Sequence, residues 1–236
     1  MRPVKNVTAR LVERMLARDL RKTFRRVLWV GDPPHALLRP VAGAPLALYA
    51  NHHYFHDGYL LWLLIRRHLR RPLVLWMQDW ERAPLFAPLG VLPFPADDRA
   101  QRIATVRETA RRLRDDPSSI FLYFPEGELH PPDAGMAPFD PQRFTRLARR
   151  IPENVAYWPV AVHVTWWGED RPTALLTADA PHDTPDGHER ERLDALLARL
   201  RAVRPEDEHL TLLEGGPSVH ERWDLSPLAP LFKRLI

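Results

Sequence analysis

The stretch Leu46-Ala47-Leu48-Tyr49-Ala50-Asn51-His52-His53-Tyr54-Phe55-His56-Asp57 decides how the rest of the chain is read. Five apolar residues, the length of a buried strand, run straight into a polar turn. Apolar residues then return in a longer block that predicts a helix over 56–69, ending in Arg66, Arg67, Arg70 and Arg71. Pro72 stops that helix, because its ring has no amide hydrogen and clashes with the preceding turn. A strand delivering the chain through a turn into a helix is the unit of an α/β sheet, and chemistry collects where such strands end.

Outward from this unit the alternation continues. Residues 73–77 and 90–94 read as strands, and 98–114 as a helix with Ile103, Val106, Ala110 and Leu113 on one face and Asp97 or Asp98 as its cap. Residues 120–124 read as a strand, and 155–164 as a strand pair or a bulged strand because of Pro159. A strand at 174–177 and a helix at 187–203 follow. The expected fold is α/β, a mixed and mostly parallel sheet flanked by helices.

Toward the N-terminus, Val7, Leu11, Val12, Met15, Leu16, Leu20, Phe24, Val27 and Leu28 recur at spacings of three and four, which predicts one amphipathic helix over 7–28. Residues 1–26 carry nine basic side chains against Glu13 and Asp19. Such a helix either docks in an anionic membrane interface or packs on the domain and shows its arginines to water. The tail offers the same choice in small, with Leu228, Leu231, Phe232, Leu235 and Ile236 beside Lys233 and Arg234. The expected organisation is a single domain: a basic amphipathic helical segment at 1–30, a catalytic domain at 36–205 and a C-terminal extension at 206–236.

Composition removes whole classes of chemistry. With no cysteine the chain has no disulfide, thiol nucleophile or Cys-ligated zinc. Its serines are Ser118, Ser119, Ser218 and Ser226, and none stands in the Gly-x-Ser-x-Gly turn that presents a hydrolase nucleophile. Any acyl transfer is therefore expected to be direct. The longest purely apolar run, 59–65, is far too short to cross a bilayer. The first 26 residues hold no apolar signal segment, so a cytoplasmic location is the default expectation. The net charge of +4 comes without a zinc finger, an RNP pattern or a helix-turn-helix signature, and nucleic acid is not an expected partner.

Three histidines and an aspartate fall between residues 52 and 57. Acyl transfer to a hydroxyl needs a base for the hydroxyl proton, and neutral histidine is suited to that near neutral pH. An aspartate fixes the ring's tautomer and steadies the imidazolium that forms. The same residues admit other readings. His52 and His56 stand at the i, i+4 spacing of a metal-binding helix with Asp57 adjacent, although His53 occupies the position where zinc hydrolases carry glutamate. The run from His52 to Gly58 also fits HHxxxDG, the pattern of condensation and chloramphenicol-acetyltransferase-type enzymes, in which His53 would be the base.

Two motifs in company choose between them. Asn51 with His52-x-x-x-x-Asp57, followed 74 residues after the histidine by Phe124-Pro125-Glu126-Gly127, resembles the first and third motifs of the glycerolipid acyltransferase family, which includes glycerol-3-phosphate and lysophosphatidate acyltransferases. Gly90 to Phe94 with Arg99 resembles the second motif, Trp158-Pro159-Val160 the fourth, and Gly135 to Phe139 echoes the segment after the third, so the resemblance spans about residues 45–165. It implies an acyltransferase of phospholipid biosynthesis that moves a fatty-acyl group from acyl-coenzyme A or acyl carrier protein to a lipid hydroxyl. The catalytic residues would be His52 as general base and Asp57 as its orienting partner. Phe124, Pro125, Glu126 and Gly127 would belong to the acceptor pocket, and Arg99 would contact a phosphate. No metal or bound cofactor is implied, the thioester donor being a co-substrate, and an N-terminal helical region would dock peripherally on the cytoplasmic face of a membrane. A binding protein of the same fold without turnover is the non-enzymatic alternative.

Departures from the family pattern bear on the acceptor. Glu128-Leu129-His130 stands where Thr-Arg-Ser is common, and Asp140 where a lysine is usual, which disfavours a phosphate monoester. Arg143 and Arg146 could compensate, and sugar, ornithine or other lipid hydroxyls stay open. Backbone amides near Gly127 or the helix start are candidates for an oxyanion hole, and Trp62, Trp76, Trp80 and Phe86 for the lining of an acyl tunnel.

Overall fold

The structure is a computed structural model and describes residues 3–223, without the side chains of residues 3–6, Pro141, Arg143 and His220. Eight strands enter one sheet: β1 (Arg26–Trp29), β2 (Leu46–Ala50), β3 (Leu73–Met77), β4 (Val91–Pro93), β5 (Ile120–Tyr123), β6 (Ala156–Thr165), β7 (Thr173–Ala178) and β8 (Leu210–Glu214). Their order across the sheet is β4-β3-β5-β2-β6-β7-β1-β8. The pairs from β4 to β6 are all parallel; β7 turns antiparallel to β6, β1 runs parallel to β7, and β8 is antiparallel to β1. The expected α/β fold with a mixed, mostly parallel sheet is what the chain forms.

Helices cover both faces. On one lie α1 (Pro3–Thr23) and α3 (Asp57–Trp62), the latter continuing as a π-helical turn over Leu63–His68. Leu60, Leu61, Leu63, Leu64 and Ile65 are buried there with Val12, Leu16 and Leu20 of α1 and with Leu46 and Leu48 of β2. On the other face lie α4 (Arg99–Asp115), α5 (Pro141–Ala148) and α6 (Glu189–Ala202), whose Leu113, Phe144, Leu193, Leu196 and Leu200 pack on Ala47, Tyr49, Phe121 and Tyr157. Each fully buried side chain of this size contributes about 1.5–3 kcal/mol. Single-turn helices α2 (Pro34–Leu37) and α7 (Val219–Arg222) join the set, and Asp98 caps α4 by accepting the Gln101 amide at 2.9 Å.

Two strands stand where the sequence reading places none. The helix expected over 7–28 ends at Thr23, and Val27 and Leu28 belong to β1. Because β1 is covered on both sides, Val27 facing α1 and Leu28 the opposite core, its apolar run lacks the alternation that marks a half-exposed strand. The segment from 206 contributes β8, a short edge strand with Leu210 half exposed. Both strands tie the expected terminal segments into the central sheet. The tail from Leu228 lies outside the described residues.

β6 is one strand without a break at Pro159. The Ala156 amide donates toward β2, to Pro45 O, and the Tyr157 amide to the other side, to His182 O. By alternation the hydrogen that Pro159 lacks belongs on the β7 side, just before the β6–β7 ladder starts at Val160, so no rung is lost. Gly90 enters β4 at φ 98°, where a Cβ would lie 1.7 Å from the Leu73 carbonyl oxygen; only glycine fits.

Candidate active site

The parallel strands β2, β5 and β6 end on the same edge of the sheet, and the site is built where they stop. Asn51 replaces the next rung of the β2–β6 ladder with its side chain: Nδ2 donates to Val162 O at 2.9 Å and Oδ1 accepts the Val162 amide at 2.8 Å. Its main chain is thereby released from the ladder and turns away from the sheet as His52.

The turn that follows closes on Asp57. Its amide donates to Tyr54 O, and its Oδ2 accepts the amides of His53 at 2.7 Å and Tyr54 at 2.9 Å and meets Nδ1 of His52 at 3.3 Å. A carboxylate only accepts, so Nδ1 carries the proton and Nε2 of a neutral ring keeps its lone pair. Asp57 is wholly buried and its Oδ1 has no partner, whereas the His52 side chain is 24% exposed and Nε2 is unpartnered among the described residues. Phe124 stacks on the His52 ring at 4.2 Å between centroids.

Glu126 holds the same histidine by its main chain. Oε1 accepts the His52 amide at 2.7 Å; Oε2 accepts the Ala137 amide at 2.6 Å and meets Nε2 of His130. The Glu126 side chain has no exposed surface, and it clamps the β2–α3 and β5–α5 connections together. The Gly127 amide is spent on Phe124 O at 3.2 Å and that of Asp57, at the helix start, on Tyr54 O at 3.0 Å, so neither of these two amides is available to an oxyanion. Pro125 is buried beneath this turn.

The remaining sequence candidates fall farther away or find other work. Arg99 is exposed at the first turn of α4, beyond β4 and hence three strand spacings, roughly 14 Å, from β2. Arg143 lies on α5, and its side chain is outside the described ones. Asp140 caps α5 through the Gln142 amide and pairs with Arg146 at 2.9 Å, so the acid and the cation cancel each other instead of adding to a pocket. His56 turns to Asp19 at 3.2 Å and edges onto Phe24, away from any joint role with His52, so the His52–His56 metal pairing is not assembled. Trp62, Trp80 and Phe86 pack on the α1 side of the sheet and Trp76 on the opposite side, so the four do not line one tunnel.

Sequence reasoning passed over an open cleft of about 510 Å³ lined by Tyr54, Asp133, His163, Trp166 and Arg201. Burial, with Arg201 and His53 adding to it, pushes His163 down to about 4, so it is neutral at pH 7. Its place at the end of β6, on the edge that carries His52, was the only signal available.

Neither a family model nor a curated protein matches the chain.

Proposed function

We propose that the protein is an acyltransferase that moves a fatty-acyl group from an acyl thioester, on coenzyme A or an acyl carrier protein, to the hydroxyl of a lysophospholipid or related lipid. The observation that carries this reading is His52, with its ring on buried Asp57, its amide on Glu126 and an exposed face. Nε2 accepts the acceptor's hydroxyl proton as the oxygen attacks the thioester carbonyl, Asp57 steadies the resulting imidazolium, and the thiol leaves with the proton returned to it. No covalent enzyme intermediate is needed.

A bilayer surface supplies such acceptors, and α1 suits docking there. Its buried face is Val12, Leu16 and Leu20, while Val7, Leu11 and Met15 form a second, exposed apolar stripe beside exposed Arg10, Arg14 and Arg18. The Asp19–His56 pair sets this helix against the turn that exposes Phe55, three residues after His52. No described helix is long and apolar enough to cross a membrane. Peripheral attachment on the cytoplasmic face follows from this reading.

The test is incubation of the purified chain with a radiolabelled acyl thioester and a panel of lysolipids, sugar lipids and ornithine lipids. Transfer that disappears in His52→Ala supports the proposal; absence of thioester consumption with every acceptor leaves a lipid-binding protein as the better reading.

A further inference from the structure

Beside His52 stands a second cluster, which shares Glu126 with it and adds two histidines for which acyl transfer has no use. His53, Glu126 and His130 bring one ligand atom each to within 4.8 Å of one another. The side chains of His53 and Glu126 have no exposed surface and that of His130 is 15% exposed. Both ring nitrogens of His53 are buried without a hydrogen-bond partner. An unpaired polar group in that position costs about 1–3 kcal/mol, so a partner is missing from the inventory of protein atoms.

His130 shows what kind of partner. Its Nδ1 lies 3.3 Å from the Pro131 carbonyl oxygen, which can only accept, so Nδ1 carries hydrogen. In a neutral ring Nε2 then presents a lone pair, and it presents it to Oε2 of Glu126. Two lone pairs do not face each other without positive charge between them. A ring whose other N–H rests on a backbone carbonyl is also how a metal-bound histidine is oriented, and the amides of His52 and Ala137 hold the carboxylate in the same way.

We propose that His53, Glu126 and His130 bind one divalent transition-metal ion of the zinc class. Two imidazoles and a carboxylate select such ions over magnesium or calcium, which take oxygen ligands. Nε2 of His53 lies 4.0 Å from Oε2 of Glu126, near the edge of about 3.4 Å for a tetrahedral site with bonds of about 2.1 Å, so a small rotation of His53 closes that edge while His130, in direct contact with Oε2, swings back to admit the ion. Three protein ligands leave a fourth position for water or an added ligand. The site stands apart from the transfer reading, because neither His52 nor Asp57 is a ligand.

The test uses the untagged full chain, stripped with chelator and titrated with Co²⁺ under visible absorption, then with Zn²⁺ by calorimetry. One ion per chain is expected, with the intense d–d bands of four-coordinate cobalt that zinc then displaces. His130→Ala, which alters the one partly exposed ligand, weakens binding by more than the 10–100-fold that loss of an outer-shell partner costs, while circular dichroism stays unchanged. His52→Ala binds the ion like the parent chain and is assayed separately for acyl transfer, so the two readings fail independently. Absence of a saturable one-to-one cobalt spectrum in the parent chain overturns the proposal whatever the variants do. Equal affinity in folded His130→Ala overturns it too, and a proton shared between His130 and Glu126 is then the cation.

Discussion

Asp57 and Glu126 are equally hidden from water and both grip His52, yet they are built differently. Asp57 works inside one turn: a single oxygen serves the His52 ring and the amides of His53 and Tyr54, and the other oxygen is left bare. Glu126 works across the fold, with both oxygens committed to residues 74, 4 and 11 positions away. The local carboxylate acts on the chemistry of a ring, whereas the distant one fixes where that ring stands. Substitutions can pull these two tasks apart.

The largest effect is expected at the histidines the two acids serve. His52→Ala should lower the acyl-transfer rate by about 10³-fold or more, within the range of a lost general base, while His53→Ala lowers it by less than about tenfold. Initial rates at saturating donor decide this, and the reverse ranking would return the base to His53.

Amide variants sharpen the contrast. In Asp57→Asn the new NH₂ can take the place of the partnerless Oδ1, so melting is preserved, and loss of the charge that steadies the imidazolium costs about 10²–10⁴-fold in rate. Glu126→Gln has no bare oxygen to give up and sets an NH₂ against a donor. It should lose about 1–3 kcal/mol, read as a fall in Tm of about 2–4 °C per kcal/mol. Equal melting of the two variants would remove the distinction.

A third measurement asks whether this turn works at a lipid surface. Leu11→Glu with Met15→Glu alters only the exposed stripe of α1 and should weaken partitioning onto anionic vesicles about 30-fold, from about 2 kcal/mol of lost apolar contact. Unchanged sedimentation with vesicles would make α1 purely structural. Deleting the helix could not answer the question, since Val12, Leu16 and Leu20 belong to the core.

A further effect is expected at His163, in the cleft beside Tyr54 and Arg201. Its folded value near 4 is below its ordinary 6.5, so its contribution to stability is complete above pH 6.5 and lost as pH falls through 4. Thermal melts from pH 7 to 4 should fall less steeply for His163→Gln than for the parent chain.

What could be read in advance follows the same division. The β2–turn–α3 unit depends on residues within a dozen positions, and the periods and the proline express it directly, whereas the pairing of His52 with Asp57 is implied only by the resemblance of the motifs. β1 escaped because burial on both faces erases alternation, and β8 because an edge strand with exposed Leu210 and Thr211 carries little pattern. His130 read as a departure from a motif; its meaning depends on Glu126 and His53 meeting it in space, which no spacing encodes. Asp140 likewise looked like a charge in a pocket and is a helix cap.

The position of β1 also governs how the chain comes to be folded. Its neighbours are β7 and β8, and the Thr177 hydroxyl that donates to Val30 O lies 147 residues downstream. At 5–20 residues per second, ribosomal synthesis leaves β1 waiting on the order of 10 s for those strands, with Val27, Leu28 and Trp29 unpaired. β1 is thus among the last strands to find its partners although it precedes them all in the chain, and such high contact order slows folding.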